Sequence, residues 1–308
     1  MTGVNLLSGG KMEKLFGILE AGGTKFICAV GTGPGDIRDE ERFPTTTPDE
    51  TLSRTLDYFR RMENRHGKLS ALGIGSFGPL DLNPQSATWG FITATPKPGW
   101  SNTSLASFLS ESLGVPAFID TDVNAAALAE SLWGAGTGLK NLVYVTVGTG
   151  IGGGVLSGGN LIHGLVHPEL GHILLPKRGD DAFEGNCPFH RTCLEGLASG
   201  PAIQKRWGIG GGNLPPHHPA WDLEAHYLAL GLQSWTLSLS PEKIILGGGV
   251  MAQEHLLPLI QTKLLKLLGG YIQHPLLTQE RIGEYVCAPG LGTRSGLMGA
   301  LALAMGLH

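Results

Sequence analysis

"KLFGILEAGGTKFICAVG", from Lys14 to Gly31, reads as strand, glycine turn, strand, because two apolar runs flank a G-G-T able to reverse the chain. "NLVYVTVGTGIGGGVLSGG", from Asn141 to Gly159, repeats that plan around a G-T-G. A repeat of architecture at this separation predicts two related α/β halves. The chain's 308 residues exceed the usual size of one compact core, so two α/β domains around a cleft are expected. Its 48 glycines are about twice the usual share, which fits tight turns and close approach of backbone to a ligand.

Outward from the hairpins, residues 48 to 66 predict a helix, with Leu52, Leu56, Phe59 and Met62 near a 3.6 period. "ALGIGSFGPLDL" reads as a strand running into a loop, 104 to 114 as a helix, and "VPAFID" as a short strand. "DVNAAALAESLWGAG" follows as a helix whose opening aspartate can cap its own first turn. Helices are expected near 196 to 207 and 220 to 238, then the strand and glycine turn of "PEKIILGGGVM", an amphipathic helix over 256 to 268, and a buried terminal helix in "GTRSGLMGALALAMG". The division expected is a flexible leader 1–13, an N-terminal domain 14–118 completed by the helix at 292–306, and a C-terminal domain 119–291 carrying an irregular loop at 172–193.

Composition narrows the function classes. Hydrophobic residues make up 42 % and charged residues 16 %, the balance of a well-buried globular chain. A formal charge of -4 without long basic runs gives no reason to expect nucleic acid or an anionic membrane as partner. There is no uninterrupted apolar run long enough to span a bilayer and no signal-peptide pattern, so a cytoplasmic protein is expected. Four cysteines are too few for a disulfide framework; Cys28 and Cys287 read as small buried hydrophobes.

Four motifs carry chemistry. "EAGGTK" (Glu20 to Lys25) presents backbone N–H groups and the Thr24 hydroxyl around a turn suited to phosphate oxygens, although an ordinary hairpin turn reads the same way. "VGTGIGGG" (Val147 to Gly154) is followed by an apolar strand where a dinucleotide fingerprint requires a helix, so it predicts a second phosphate-gripping turn. In "DTDVNAAALAE" either Asp120 or Asp122 stands at a strand-to-helix junction, placed to take a proton from a hydroxyl or simply to cap the helix. Finally, "CPFHRTC" sets Cys187, His190 and Cys193 at spacings that converge on one ion, with His172 the best fourth ligand; a Cys187–Cys193 disulfide is the alternative. Four protein ligands leave no open position, so such an ion is structural, and it would bring Glu169 and Glu195 together as acceptors for sugar hydroxyls unless both are simply solvated.

These motifs together resemble the ROK family of sugar kinases, in particular its bacterial fructokinase branch, from about Leu15 to near the end of the chain. The resemblance implies an actin-like, ribonuclease-H-like fold of two α/β domains, with ATP and Mg2+ in the cleft and a structural Zn2+. It implies Asp122 as the base, from the family's D-x-N. Gly22, Gly23, Thr24 and Lys25, with Gly148, Thr149 and Gly150, would face phosphates. Glu169, His172 and Glu195 would face the sugar, and Gly247, Gly248, Gly249, Val250, Met251 and Pro201 would lie along the nucleotide. Thr121 replaces an asparagine common in the family, which weighs against glucose, and Glu20 replaces a common aspartate. "GFITATPKPGW" (Gly90 to Trp100) and the His-containing metal cluster tip the substrate toward fructose.

The expected reaction is therefore ATP-dependent phosphorylation of D-fructose to fructose 6-phosphate, by a homodimer whose ligands are hexose and ATP. The rivals are a kinase for glucose, mannose or an N-acetylated hexosamine, a sugar sensor without catalysis, and a repressor. The last needs a helix-turn-helix ahead of "EAGGTK", and fewer than twenty residues precede it.

Overall fold

The structure, a computed structural model, describes residues 14–307, so the leader expected over 1–13 lies outside the described residues. In chain order the elements are β1 (Leu15–Ala21), β2 (Lys25–Gly33), β3 (Asp36–Pro44), α1 (Pro48–His66), β4 (Leu69–Ser76), β5 (Phe91–Ile92), β6 (Thr103–Ser104) and α2 (Ala106–Leu113). Then come β7 (Ala117–Thr121), α3 (Asp122–Trp133), β8 (Leu142–Val147), β9 (Ile151–Ser157), β10 (Asn160–Leu161), α4 (Leu194–Ala198), α5 (Gly200–Trp207) and α6 (Ala220–Leu239). The chain closes with β11 (Lys243–Gly247), α7 (Leu256–Leu268), α8 (Ile282–Tyr285), β12 (Val286–Cys287) and α9 (Ser295–Ala304).

Each glycine hairpin opens its own five-stranded sheet, ordered β3-β2-β1-β4-β7 and β10-β9-β8-β11-β12. In both, the hairpin pair is antiparallel and the next two strands add in parallel: β1 with β4 and β4 with β7, β8 with β11 and β11 with β12. The repeat read from the two hairpins is thus a repeat of strand pairing. The first sheet runs to Thr121, three residues past the boundary expected at 118.

Local chemistry explains the element ends. Helix α1 begins where the Thr47 side chain accepts from the Glu50 N–H, with Pro48 in the first turn, and stops at Gly67, whose φ of 101° suits a residue without Cβ. Its buried face carries Leu52, Leu56, Phe59 and Met62, each contributing about 1.5–3 kcal/mol by leaving water. The helix expected at 196–207 is two helices, because Ser199 ends α4 and its side chain caps α5 by accepting from the Ala202 N–H at 3.3 Å. Strand β3, D-I-R-D-E-E-R-F-P, escaped the sequence reading because an edge strand with both faces partly wet shows no apolar alternation.

Two helices join the lobes. A Cβ at Gly299 of α9 would overlap the Ala125 carbonyl of α3, and one at Gly73 of β4 would overlap the Ala300 carbonyl, so α9 packs backbone to backbone on both. Glu130, fully buried on α3, accepts from the N–H groups of Ala135 (2.7 Å), Gly290 (2.9 Å) and Leu291 (3.0 Å) and from the Ser295 hydroxyl (2.7 Å). The carboxylate thereby pins the start of α9 to the helix that begins at Asp122.

Candidate active site

The two aspartates at the start of α3 have different surroundings. Asp120 is buried and engaged by the Thr121 N–H (2.7 Å), the Asn124 side-chain amide (2.8 Å) and His163 Nε2 (2.8 Å). Asp122 is the first helical residue, and its Oδ1 accepts from the Val123 N–H at 2.9 Å. The helix cap is neither aspartate but Thr121, whose hydroxyl accepts from the Asn124 N–H at 3.1 Å. Burial pushes the Asp122 carboxyl up to about 7, and the nearby Glu20 and Glu169 charges add to the shift. A carboxyl that holds its proton weakly near neutrality is suited to general-base work.

Around Asp122 the site is acidic. Glu169 is pushed up to about 7 by burial and by the Glu195 charge, although its side chain keeps 40 % of its exposure and so faces an open space. Glu195, in the first turn of α4, accepts the Ile151 N–H on Oε2 at 3.0 Å, which ties this carboxylate to the base of the second glycine turn. Glu20, next to last in β1, is raised by burial against the opposing charges of Lys25 and Arg42, and its buried Oε2 has no hydrogen-bond partner. An orphaned buried carboxylate oxygen is a place a cation fits.

The two glycine motifs form tight reversals at matching ends of β1 and β8. In the first, the Gly22 N–H donates to the Lys25 carbonyl at 3.0 Å, leaving Thr24 and Lys25 exposed. In the second, the Gly148 N–H donates to the Gly150 carbonyl at 2.8 Å, with Thr149 exposed at the tip. The Gly200 N–H donates to the Gly148 carbonyl at 2.8 Å, which brings the start of α5 and Pro201 to this turn. A Cβ at Gly148 would come within 3.9 Å of the Gly249 nitrogen, so the Gly247–Met251 segment reaches it too. Gly248, at φ 94°, lies against Val147. Later glycines of "VGTGIGGG" serve packing: a Cβ at Gly154 would overlap the Val123 carbonyl, and one at Gly152 would meet the Val123 side chain at 3.1 Å.

The side chains of His172, Cys187, His190 and Cys193 come together, their ligand atoms all within 4.8 Å of one another. His172 Nδ1 lies 3.5 Å from Cys193 Sγ and 3.7 Å from Cys187 Sγ, and His190 Nδ1 is 3.8 Å from Cys187 Sγ. Ligand atoms on an ideal zinc tetrahedron are about 3.6 Å apart for a sulfur–nitrogen pair, so the four side chains fit such an ion. Both thiols are free, which sets aside the disulfide alternative. With Nδ1 turned to the sulfurs, His172 keeps its other ring nitrogen for a second partner. Gly171 is required beside it, because any Cβ there would overlap the Ile151 carbonyl.

The polar loop before the cluster has an anchor of its own that sequence reading missed. Asp181 accepts from Tyr227 Oη at 2.6 Å and from Arg206 Nη2 at 3.2 Å, with both charged side chains nearly buried. Arg206 also stacks on Phe183, 4.4 Å from the ring centre. These partners come from α5 and α6, so no local spacing marks them. His163 and His167, set aside as metal ligands, have other work: His163 holds Asp120, and His167 Nε2 accepts the Leu80 N–H at 3.1 Å.

The chain is 46 % identical over 272 residues to a fructokinase of Lactococcus lactis subsp. cremoris, covering 88 % of this chain and 91 % of that one. It is 43 % identical over 290 residues to a fructokinase of Pediococcus pentosaceus, covering 94 % and 97 %. Among solved structures it superposes on a ROK hexokinase from Thermus thermophilus with a TM-score of 0.75 at 28 % identity, over 94 % of this chain and 98 % of that one. It also matches a ROK family glucokinase from Streptomyces griseus, solved in complex with glucose and AMPPNP, with a TM-score of 0.74 at 26 % identity over 95 % and 99 %. The fold is the actin-like, two-domain α/β architecture that the motifs imply. With the family profile matching residues 16–306, the chain belongs to the ROK family.

Proposed function

We propose that this protein transfers the γ-phosphoryl group of ATP to the 6-hydroxyl of D-fructose, giving fructose 6-phosphate. The observation that carries the reading is the Asp122 carboxyl: it opens α3, is pushed up to about 7, and is flanked by Glu169 and Glu20. In the reaction Asp122 orients the attacking hydroxyl and takes its proton during in-line displacement. Glu169, Glu195 and the free ring nitrogen of His172 accept or donate to the other sugar hydroxyls. Gly22 and Gly148 shape the two turns, and the N–H groups and hydroxyls of Gly23, Thr24 and Lys25, and of Thr149 and Gly150, stabilise charge on the phosphates, while Pro201 and Gly247–Met251 flank the nucleoside.

Glu20 is the carboxylate that would face Mg2+, an ion that neutralises phosphate charge when bound. A structural Zn2+ on His172, Cys187, His190 and Cys193 would fix the segment carrying Glu169 and Glu195. The lobes are taken as 14–121 with 292–306 and as 122–291, working as a homodimer in the cytoplasm. Among the described residues no helix is long and apolar enough to cross a membrane.

Fructose is preferred over glucose because Thr121 spends its hydroxyl on the α3 cap and is only 4 % exposed, so it offers the sugar no amide in place of the common asparagine. The test is a coupled ADP-release assay over fructose, mannose, glucose and N-acetylmannosamine, with metal analysis of the purified protein. Fructose should give the highest kcat/KM; a higher value on glucose would overturn the substrate assignment.

A further inference from the structure

We propose that His167 is a positioning residue for the hexose: it holds the Glu169 carboxylate in the sugar pocket by latching that loop to the Leu80 backbone of the other lobe. The inference rests on the sugar-kinase reading and adds to it a residue that the motif chemistry left without a role.

The imidazole is 5 % exposed, with a hydrogen-bond partner at Nε2 and a carboxylate within contact distance of Nδ1. Nε2 accepts from the Leu80 N–H at 3.1 Å. A backbone N–H can only donate, so Nε2 is bare and the single proton of the neutral ring sits on Nδ1. Nδ1 lies 3.4 Å from Glu169 Oε1. Burial keeps the ring below its ordinary pKa, in line with the neutral form. The contact is also shape-specific, because a Cβ at Gly78 would come within 3.4 Å of the ring's Cε1 and Nε2.

The two ends of the latch belong to different lobes. Leu80 is 1 % exposed in the core of the first lobe and is bridged to Ile92, while the Pro79 carbonyl accepts from the Thr93 N–H at 2.8 Å. The pairing therefore reaches the "GFITATPKPGW" segment. His167 lies between β10 and the short 3-10 turn at Leu170–His172, on the loop that presents Glu169. One side chain thus sets the distance between a first-lobe loop and a carboxylate of the second lobe. The Pro168 backbone also hydrogen-bonds the ring, and Asp120 and His163 act on it electrostatically, so the ring is fixed to its own loop as well as to Leu80.

Glutamine and asparagine separate the two ends, since a glutamine amide oxygen reaches the Nε2 position and an asparagine amide the Nδ1 position. His167→Gln keeps the Leu80 bond and loses the Glu169 contact. It should keep its melting temperature and raise KM for fructose about tenfold, with KM for ATP changed by less than about twofold. His167→Asn should melt lower. A His167→Gln enzyme with wild-type KM for fructose, or with both KM values rising together, would overturn the proposal.

The wild-type protein gives a reading free of folding risk. Ring 15N shifts should show His167 protonated on Nδ1 alone and should move when fructose is added. A proton on Nε2, or shifts indifferent to fructose in an active enzyme, would equally overturn it. Failure of the kinase reading looks different: the wild-type protein would phosphorylate no hexose, whatever tautomer His167 shows.

Discussion

Replacing Asp122 by asparagine separates chemistry from packing, because the side chain keeps its shape and loses its charge. If Asp122 takes the sugar proton, turnover should fall by about 10²- to 10⁴-fold while fructose binding by calorimetry stays near wild type. The wild-type pH profile supplies the magnitude. With the carboxyl near 7, about one-eleventh of it is ionised at pH 6 and about ten-elevenths at pH 8, so kcat/KM should rise about tenfold across that interval. An unshifted carboxylate, near 3.8, would give a flat profile there.

Stability should move the opposite way. A carboxyl raised in the folded state binds its proton more tightly than in the unfolded chain. The wild type therefore loses stability as pH rises from about 4 to 7, with a ceiling of about 4 kcal/mol if the carboxyl meets no water at all. Water in the open cleft cuts this to roughly half, so Asp122→Asn should be about 2 kcal/mol more stable than wild type at pH 8 and equal to it near pH 4. Glu169 shares the same range, so the apparent pKa belongs to the acidic group as a whole, and Glu169→Gln should lower it. Near-normal turnover by Asp122→Asn, or a wild-type profile flat from pH 6 to 8, would refute the assignment.

Other outcomes follow from the same structure. Stripping the metal with a chelator should expose residues 172 to 196 to protease and raise KM for fructose more than KM for ATP; an unchanged digestion pattern after verified metal loss would contradict the structural role. Gly171→Ala should displace both Glu169 and His172, because the added methyl overlaps the Ile151 carbonyl, and a strong loss of sugar affinity by calorimetry is expected. Arg206→Ala leaves Asp181 buried without its charge partner and should cost about 3 kcal/mol in thermal melts; a melting temperature within a degree of wild type would show that the pair does not hold the loop.

Much of this site could be read before any coordinates because its parts are local. Glycine hairpins, the D-x-N at a strand end and the C-x-x-H-x-x-C cluster each keep their donors within a few residues, and spacing alone exposes them. The D-x-N already pointed to Asp122; what only the fold shows is that His163, more than forty residues along the chain, engages Asp120 and not Asp122. The anchors of the 177–193 loop were hidden for the same reason: Arg206 and Tyr227 sit on helices read only as apolar periodicity. Likewise Glu130 looks like an ordinary polar residue on the back of a helix until Gly290, Leu291 and Ser295 are brought to it from the far end of the sequence.

At Gly299 the backbone of α9 meets the Ala125 backbone of α3 with no side chain between them. Were the cleft to close about that point, it would turn like a hinge on its pin, and α3, being part of the pin, would carry Asp122 along the shortest arc. Adding bulk at position 299 would move no reacting group directly. It would wedge the pin, so fructose and ATP could each still dock while the lobes no longer brought them together.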